Sequence, residues 1–119
     1  MDARQILGRR GEDIGSAWLE ARGMRIVERN FRCTYGEIDI IGQIGETLVF
    51  VEVRGRSSDQ WGTPAESVNS KKKKKLRTLA ACYLSRRKMA DVDCRFDVVG
   101  ILYDPAGNEP HIEWIPNAF

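Results

Sequence analysis

Two stretches place carboxylates where the surrounding pattern calls for buried apolar side chains: "GEIDII" (residues 36–41) and "LVFVEVR" (residues 48–54). Side chains at i and i+2 of a strand share a face, so Glu37, Asp39 and Ile41 point one way and Ile38 and Ile40 the other. By the same parity Leu48, Phe50, Glu52 and Arg54 share a face, opposite Val49, Val51 and Val53. If the two strands pair, Asp39 and Glu52 sit side by side near one rim of a sheet. Two enclosed carboxylates repel, and one pKa must rise unless a cation intervenes. A hard divalent ion is the natural partner, because Mg²⁺ takes oxygen ligands and keeps several waters, and the Val53 carbonyl can complete the protein's share. Such a centre suits phosphodiester hydrolysis, with Arg54 placed to offset developing charge. The plainer alternative is an edge aspartate and a solvated Glu52–Arg54 pair worth little. Geometry alone leaves both open.

The hydrophobic periodicity supplies the scaffold for these strands. Residues 3–22 lack proline and space Leu7, Ile14, Ala17, Trp18 and Ala21 along one face of a helix that Gly23 ends. Gly8, Gly11 and Gly15 weaken that helix by about 1 kcal/mol each relative to alanine, which points to close approach of other backbone or to a frayed first turn. Three β-rich runs follow, Met24–Arg32, Gly36–Gln43 and Thr47–Arg54, and their short connections predict antiparallel neighbours. After the polar loop "GRSSDQWGTP", where Trp61 reads as a packing anchor, a second helix is expected from about Pro64 or Ser70 to Lys88. Its stripe is Leu76, Leu79, Ala80, Tyr83 and Leu84, and Ser70 is its expected N-cap. "RFDVVGILY" and "HIEWI" close the chain as a hairpin. The order α-β-β-β-α-β-β predicts one α/β domain over residues 1–119. A helix joins the third and fourth strands, which makes those two parallel in a mixed sheet.

Composition narrows the function classes. No apolar run approaches the roughly 20 residues of a membrane span, and the N-terminal "MDARQILGRRGEDIG" has no signal-peptide hydrophobic region. Cys33, Cys82 and Cys94 are odd in number and widely spaced, which fits a reduced, cytoplasmic setting better than a disulfide framework. The net charge of +2 hides a bipolar chain: nine cations and no acid lie between Ser67 and Ala90, leaving −7 for the rest. Lys71, Lys72, Lys73, Lys74, Lys75 and Arg77 crowd the start of the second helix, where the helix dipole disfavours cations. A positive cluster beside a helix N-terminus suits nucleic-acid phosphate, in contacts that are salt-dependent and carry no sequence information. Lys72 and Lys73 fall on the side of Leu76, so part of the run is expected across the sheet rim. His111, the single histidine, reads as structural.

The stretch from "GRRGEDIGSAWLEARG" through "YGEIDIIG" and "LVFVEVRGRSS", continued by "WGTPAESVNSKKKKKLRTLAACYL", "RFDVVGI" and the terminal "NAF", resembles the YraN-like family of bacterial proteins over nearly the whole chain. That family is similar to restriction-endonuclease-like nucleases, especially archaeal Holliday-junction resolvases. The resemblance implies a restriction-endonuclease-like fold and a Mg²⁺- or Mn²⁺-dependent endonuclease acting on structured DNA. It maps the helix acid of those nucleases onto Glu12, the metal-binding aspartate onto Asp39 and the metal-binding glutamate onto Glu52. Their motif lysine falls on Arg54, a departure. Arginine keeps the charge and grips phosphate with two donors, but it stays protonated and cannot accept a proton. A nucleic-acid-binding module without catalysis is therefore the alternative. Symmetric cleavage of two strands would call for a homodimer, and no stretch of sequence marks an interface.

Overall fold

The computed structural model describes residues 3–57 and 63–119, with the side chains of the first helix described from Arg10 onward. The expected element order holds: α1 (Ala3–Glu20), β1 (Arg25–Cys33), β2 (Gly36–Ile44), β3 (Thr47–Arg56), α2 (Ser70–Arg86), β4 (Cys94–Leu102) and β5 (His111–Ile115). The strands form one mixed sheet in the order β1-β2-β3-β4-β5. Two-residue connections fold β1, β2 and β3 into an antiparallel meander, and Gly45 (φ 59°) takes the left-handed backbone that the second turn needs. The longer crossover through α2 returns the chain parallel to β3, and β5 pairs antiparallel with β4.

β3 is the central strand, and it is buried on both faces. Leu48 and Phe50 join Phe31, Leu76, Leu79, Ala80, Tyr83 and Val98 in the core beneath α2. Val49 and Val51, with Val53 beside them, join Leu19, Ile40, Val99 and Ile101 beneath α1. The two helices thus cover opposite faces. A strand enclosed this way reads as a continuous apolar run, which is why the acid that interrupts it at Glu52 stands out. β3 continues two residues past its expected end, because Gly55 and Arg56 pair with Ile101 and Leu102 of β4.

Two sequence expectations about the helices need correction. The expected face of α1 is only partly the inward one: Ile14 and Trp18 pack against the core, Ala17 and Ala21 are exposed, Leu7 lies outside the described side chains, and the buried stripe runs through Gly11, Glu12, Gly15, Ser16 and Leu19. The glycines explain the rotation. A Cβ at Gly15 would lie 3.7–3.9 Å from Ile40, Val53 and Val99, and one at Gly11 3.2 Å from the Tyr103 hydroxyl, so the helix rests on the sheet through its smallest residues. The N-cap of α2 is Asn69 and not Ser70: its extended backbone (ψ 173°) and side-chain Oδ1, which accepts from the Lys72 N–H at 2.9 Å, satisfy the first turn. Residues 64–67 form a separate turn. The expectation for Trp61 lies outside the described residues.

Candidate metal centre

The site forms where the β1–β2 pair loses its alternation. Arg29 pairs with Ile40, on the α1 side, and Phe31 pairs with Ile38, on the α2 side. Two residues along, each strand has therefore changed faces, where parity puts Ile38 and Ile40 together. Between those pairs lie Asn30 and Asp39. Asn30 takes φ 55°, a left-handed conformation that asparagine tolerates better than most residues, and β2 leaves its ladder with β3 after Ile40 and Val51. The freed Val53 N–H donates to Asp39 Oδ2 at 2.8 Å. Asp39 thus substitutes for a missing backbone partner and is held at the seam between the two faces.

From that seam Asp39 meets acids of three elements. Glu12, buried on α1, and Glu37, earlier on β2, bring carboxylate oxygens within 4.8 Å of one another and of Asp39. The Glu52 carboxylate of β3 is a further close neighbour of Asp39. As a residue Asp39 is half-buried, but its carboxyl is well enclosed. Burial first, then the Glu52 contact and charge, push its pKa up to about 9, against the Val53 N–H that favours the anion. The Glu12 carboxyl is also raised, by burial and then by Glu37, with Asn30 and Arg29 opposing. Its Oε2 is buried without a hydrogen bond, and the nearest guanidinium nitrogen, on Arg29, stands 3.9 Å away. An oxygen-only donor set with an unsatisfied buried carboxylate oxygen fits a hard divalent cation.

Cations ring this cluster. Glu52, 5% exposed, ends between two of them: Lys72 Nζ at 3.2 Å and Arg54 Nη2 at 3.6 Å, both directed at Oε2. Arg32 Nε bonds Glu37 at 2.9 Å, and Arg29 Nη2 bonds Asp13 at 2.6 Å. Glu12, Asp39, Glu52 and Arg54 are thus gathered at one place, and Val53 joins them through its N–H. The basic run is divided by the helix. Lys72 points inward, while Lys73 and Arg77 reach the Phe119 ring, with Lys73 Nζ 5.8 Å and the Arg77 guanidinium 5.4 Å from its centroid. Lys71, Lys74 and Lys75 are exposed. His111 lies on β5, paired with Leu102.

Residues 11–101, from the glycine beside Glu12 to the end of the α1-side core, match the family model described as uncharacterised protein family UPF0102. The chain belongs to UPF0102. Bacterial UPF0102 proteins align with it almost end to end. That of Pelotomaculum thermopropionicum is 43% identical over 118 residues, 99% of this chain and 98% of its own. That of Moorella thermoacetica is 48% identical over 116 residues, 98% and 97% of the two chains. The protein of Hahella chejuensis is 46% identical over 114 residues, 95% and 89%. The matched UPF0102 segment contains every residue of the acidic cluster and its cations. It also contains one acid that sequence reasoning missed: Asp97 on β4, fully buried, accepts from Arg95 Nε (2.9 Å) and Nη2 (2.8 Å), Trp114 Nε1 (2.8 Å) and the Asn117 N–H (2.9 Å). These four donors saturate it, so in this UPF0102 chain Asp97 ties the C-terminus to the sheet and stands apart from the centre.

Proposed function

We propose that this protein is a divalent-metal-dependent endonuclease acting on structured DNA. The observation that carries the reading is the convergence of Glu12, Glu37 and Asp39 on one seam, with Glu52 beside Asp39, where burial first and the Glu52 carboxylate second raise the Asp39 carboxyl far above the carboxylate range. A site assembled at such electrostatic cost is more often functional than structural. Asp39 and Glu52 would hold Mg²⁺ or Mn²⁺, with Glu12 beside them and the Val53 carbonyl as a further oxygen donor. A bound cation there would polarise a phosphoryl oxygen and make water a nucleophile at neutral pH. Glu12, close to Asp39 and poor in hydrogen bonds, is the residue to orient that water. Arg54 stands on the Glu52 side of the seam, its Nε buried without a hydrogen bond. Its guanidinium would meet the substrate phosphate and offset charge in the transition state. The exposed lysines at the start of α2 supply salt-dependent grip on the backbone.

The second reading, a DNA-binding module without chemistry, is favoured by one specific observation: Arg54 stands where a lysine is expected. The test that separates the two is cleavage of end-labelled single-stranded, duplex, flap and four-way DNA in Mg²⁺ or Mn²⁺ by wild type, Asp39→Ala and Arg54→Lys. Cleavage by wild type that vanishes in Asp39→Ala supports the nuclease. Binding by all three without cleavage supports the module, and a silent wild type beside an active Arg54→Lys places the loss at that arginine.

A further inference from the structure

We infer that Lys72 belongs to the acidic centre and is the movable cation of the site, competing with a divalent ion for Glu52 and turning to the substrate phosphate when it loses. The inference rests on the nuclease reading above. It starts from the helix period. Positions 72, 76, 79, 80 and 83 form one stripe of α2, and the last four are Leu76, Leu79, Ala80 and Tyr83, all buried. The first place in that stripe falls to a lysine, which the helix therefore carries inward over the end of β3. Its backbone is fixed there, because its N–H is the one that Asn69 caps. A cation in the first turn of a helix runs against the dipole, and what it meets in return is Glu52 Oε2 at 3.2 Å.

The two cations on that oxygen differ in what they can do next. Arg54 is held along β3 with its Nε buried. The two side chains are about equally exposed, 33% for Lys72 and 35% for Arg54, but Lys72 carries a compact ammonium on a flexible four-carbon stem. When Glu52 gives up an oxygen lone pair to a hard cation, Lys72 can leave without moving the helix, while Arg54 stays. A phosphate brought over the carboxylates then meets one fixed guanidinium and one ammonium that has just lost its partner. The lysine missing from strand position 54 is supplied from α2. The rest of the basic run has other surroundings: Lys73 and Arg77 lie toward Phe119, Lys75 lies over Gly36 at the start of β2, and Lys71 and Lys74 face solvent.

The experiment compares full-length wild type, Lys72→Met, Lys72→Arg and Lys71→Met by Mn²⁺ titration calorimetry and by cleavage of four-way DNA at saturating Mn²⁺. Methionine keeps the apolar stem and removes the charge, and far-UV circular dichroism checks the fold. Removing a positive charge a few ångströms from the ion should tighten Mn²⁺ binding by about tenfold in Lys72→Met. The same change should lower kcat by about 100-fold with little effect on KM, as expected for a cation that acts on the transition state. Lys72→Arg should keep wild-type Mn²⁺ affinity, and Lys71→Met should leave Mn²⁺ affinity and kcat unchanged while raising KM through a weaker grip on DNA. Mn²⁺ affinity unchanged in Lys72→Met, or no Mn²⁺ binding by wild type, overturns the inference. If Lys72→Met binds Mn²⁺ more tightly but wild type never cleaves, competition for Glu52 stands and the nuclease reading falls. If wild type cleaves and Lys72→Met cleaves equally well, the nuclease stands and Lys72 has no part in it.

Discussion

Replacing Asp39 by asparagine should change how stability depends on pH more than it changes the fold. The Asp39 carboxyl, near 3.9 in an unfolded chain, rises to about 9 in the folded protein because of burial and then Glu52. Between those values the folded protein holds a proton that the unfolded chain has lost. The stabilisation is therefore complete below about pH 4 and is lost progressively as pH rises toward about 9. A full proton corresponds to about 1.4 kcal/mol per pH unit, or about 3 kcal/mol between pH 5 and pH 7. Asparagine mimics the protonated acid: its oxygen can accept from Val53 N–H and its amide can donate to Glu52, with nothing to titrate. For a chain of this size 3 kcal/mol is roughly 10 °C in melting temperature. Melting curves of both proteins in EDTA at pH 5, 6, 7 and 8 should diverge, with Asp39→Asn gaining on wild type at each step. Glu12, raised in the same direction, is present in both and largely cancels. Saturating Mg²⁺ should flatten the wild-type curve and leave that of Asp39→Asn nearly unmoved. Parallel pH profiles in EDTA would refute the electrostatic account of the seam.

Three further outcomes follow from the same geometry. Gly15→Ala should stabilise the protein by up to about 1 kcal/mol in urea unfolding, because its Cβ meets Ile40, Val53 and Val99 at ordinary contact distance while the helix gains propensity; Gly15→Leu should destabilise it. Asp97→Asn should cost about 2–3 kcal/mol by the same assay, since it leaves Arg95 without its two-pronged partner, and it should leave Mn²⁺ affinity unchanged. Lys71→Gln and Lys74→Gln should each weaken DNA binding across all sequences and reduce the slope of log affinity against log salt by about 1, measured by fluorescence anisotropy. Arg77→Gln should in addition lower the melting temperature through its contact with Phe119.

The parts of the fold that follow one repeating rule were legible in the sequence. The continuous apolar run from Leu48 announced a strand buried on both faces, the two-residue turns announced the meander, and the length of the α2 crossover announced the parallel pair. What was hidden lay where one residue departs from its rule for a reason elsewhere in the chain. The inward face of α1 was legible only through Ile14 and Trp18, because glycine counts as neutral in an apolar pattern while Gly11 and Gly15 lie against the sheet side chains. The flip at Asn30 and Asp39 escaped parity because it takes two strands to make it. Asparagine's ease with positive φ was its one local trace. Glu37 shared Asp39's parity and was visible as a neighbour, and Lys72 shared a helix face with Leu76; neither rule said how near they would come. Asp97 had no signal, since a lone acid in an apolar strand looks the same whether it is saturated by donors or poised for chemistry.

That last contrast bears on why the centre is where it is. Asp97 is satisfied by donors that belong to it alone, so nothing is gained by adding a cation. Each acid of the seam is satisfied only in part or provisionally: Asp39 by the Val53 N–H and a proton, Glu52 by Lys72 and Arg54, Glu37 by Arg32, and Glu12 by Asn30 and a distant Arg29. Most of these partners sit on elements other than the acid's own, and most are long, flexible side chains or an exchangeable proton. A purely structural charge network would be expected to close around its acids as Asp97's does, because a buried carboxylate left short of donors destabilises the fold. The seam keeps them short, at the junction of α1, β2, β3 and α2, where one divalent ion could replace several weak partners at once. Arg54 fits this arrangement as a fixed charge, and the adaptable one is assigned to Lys72. Strand position 54 need not carry a lysine if the fold delivers one from the helix.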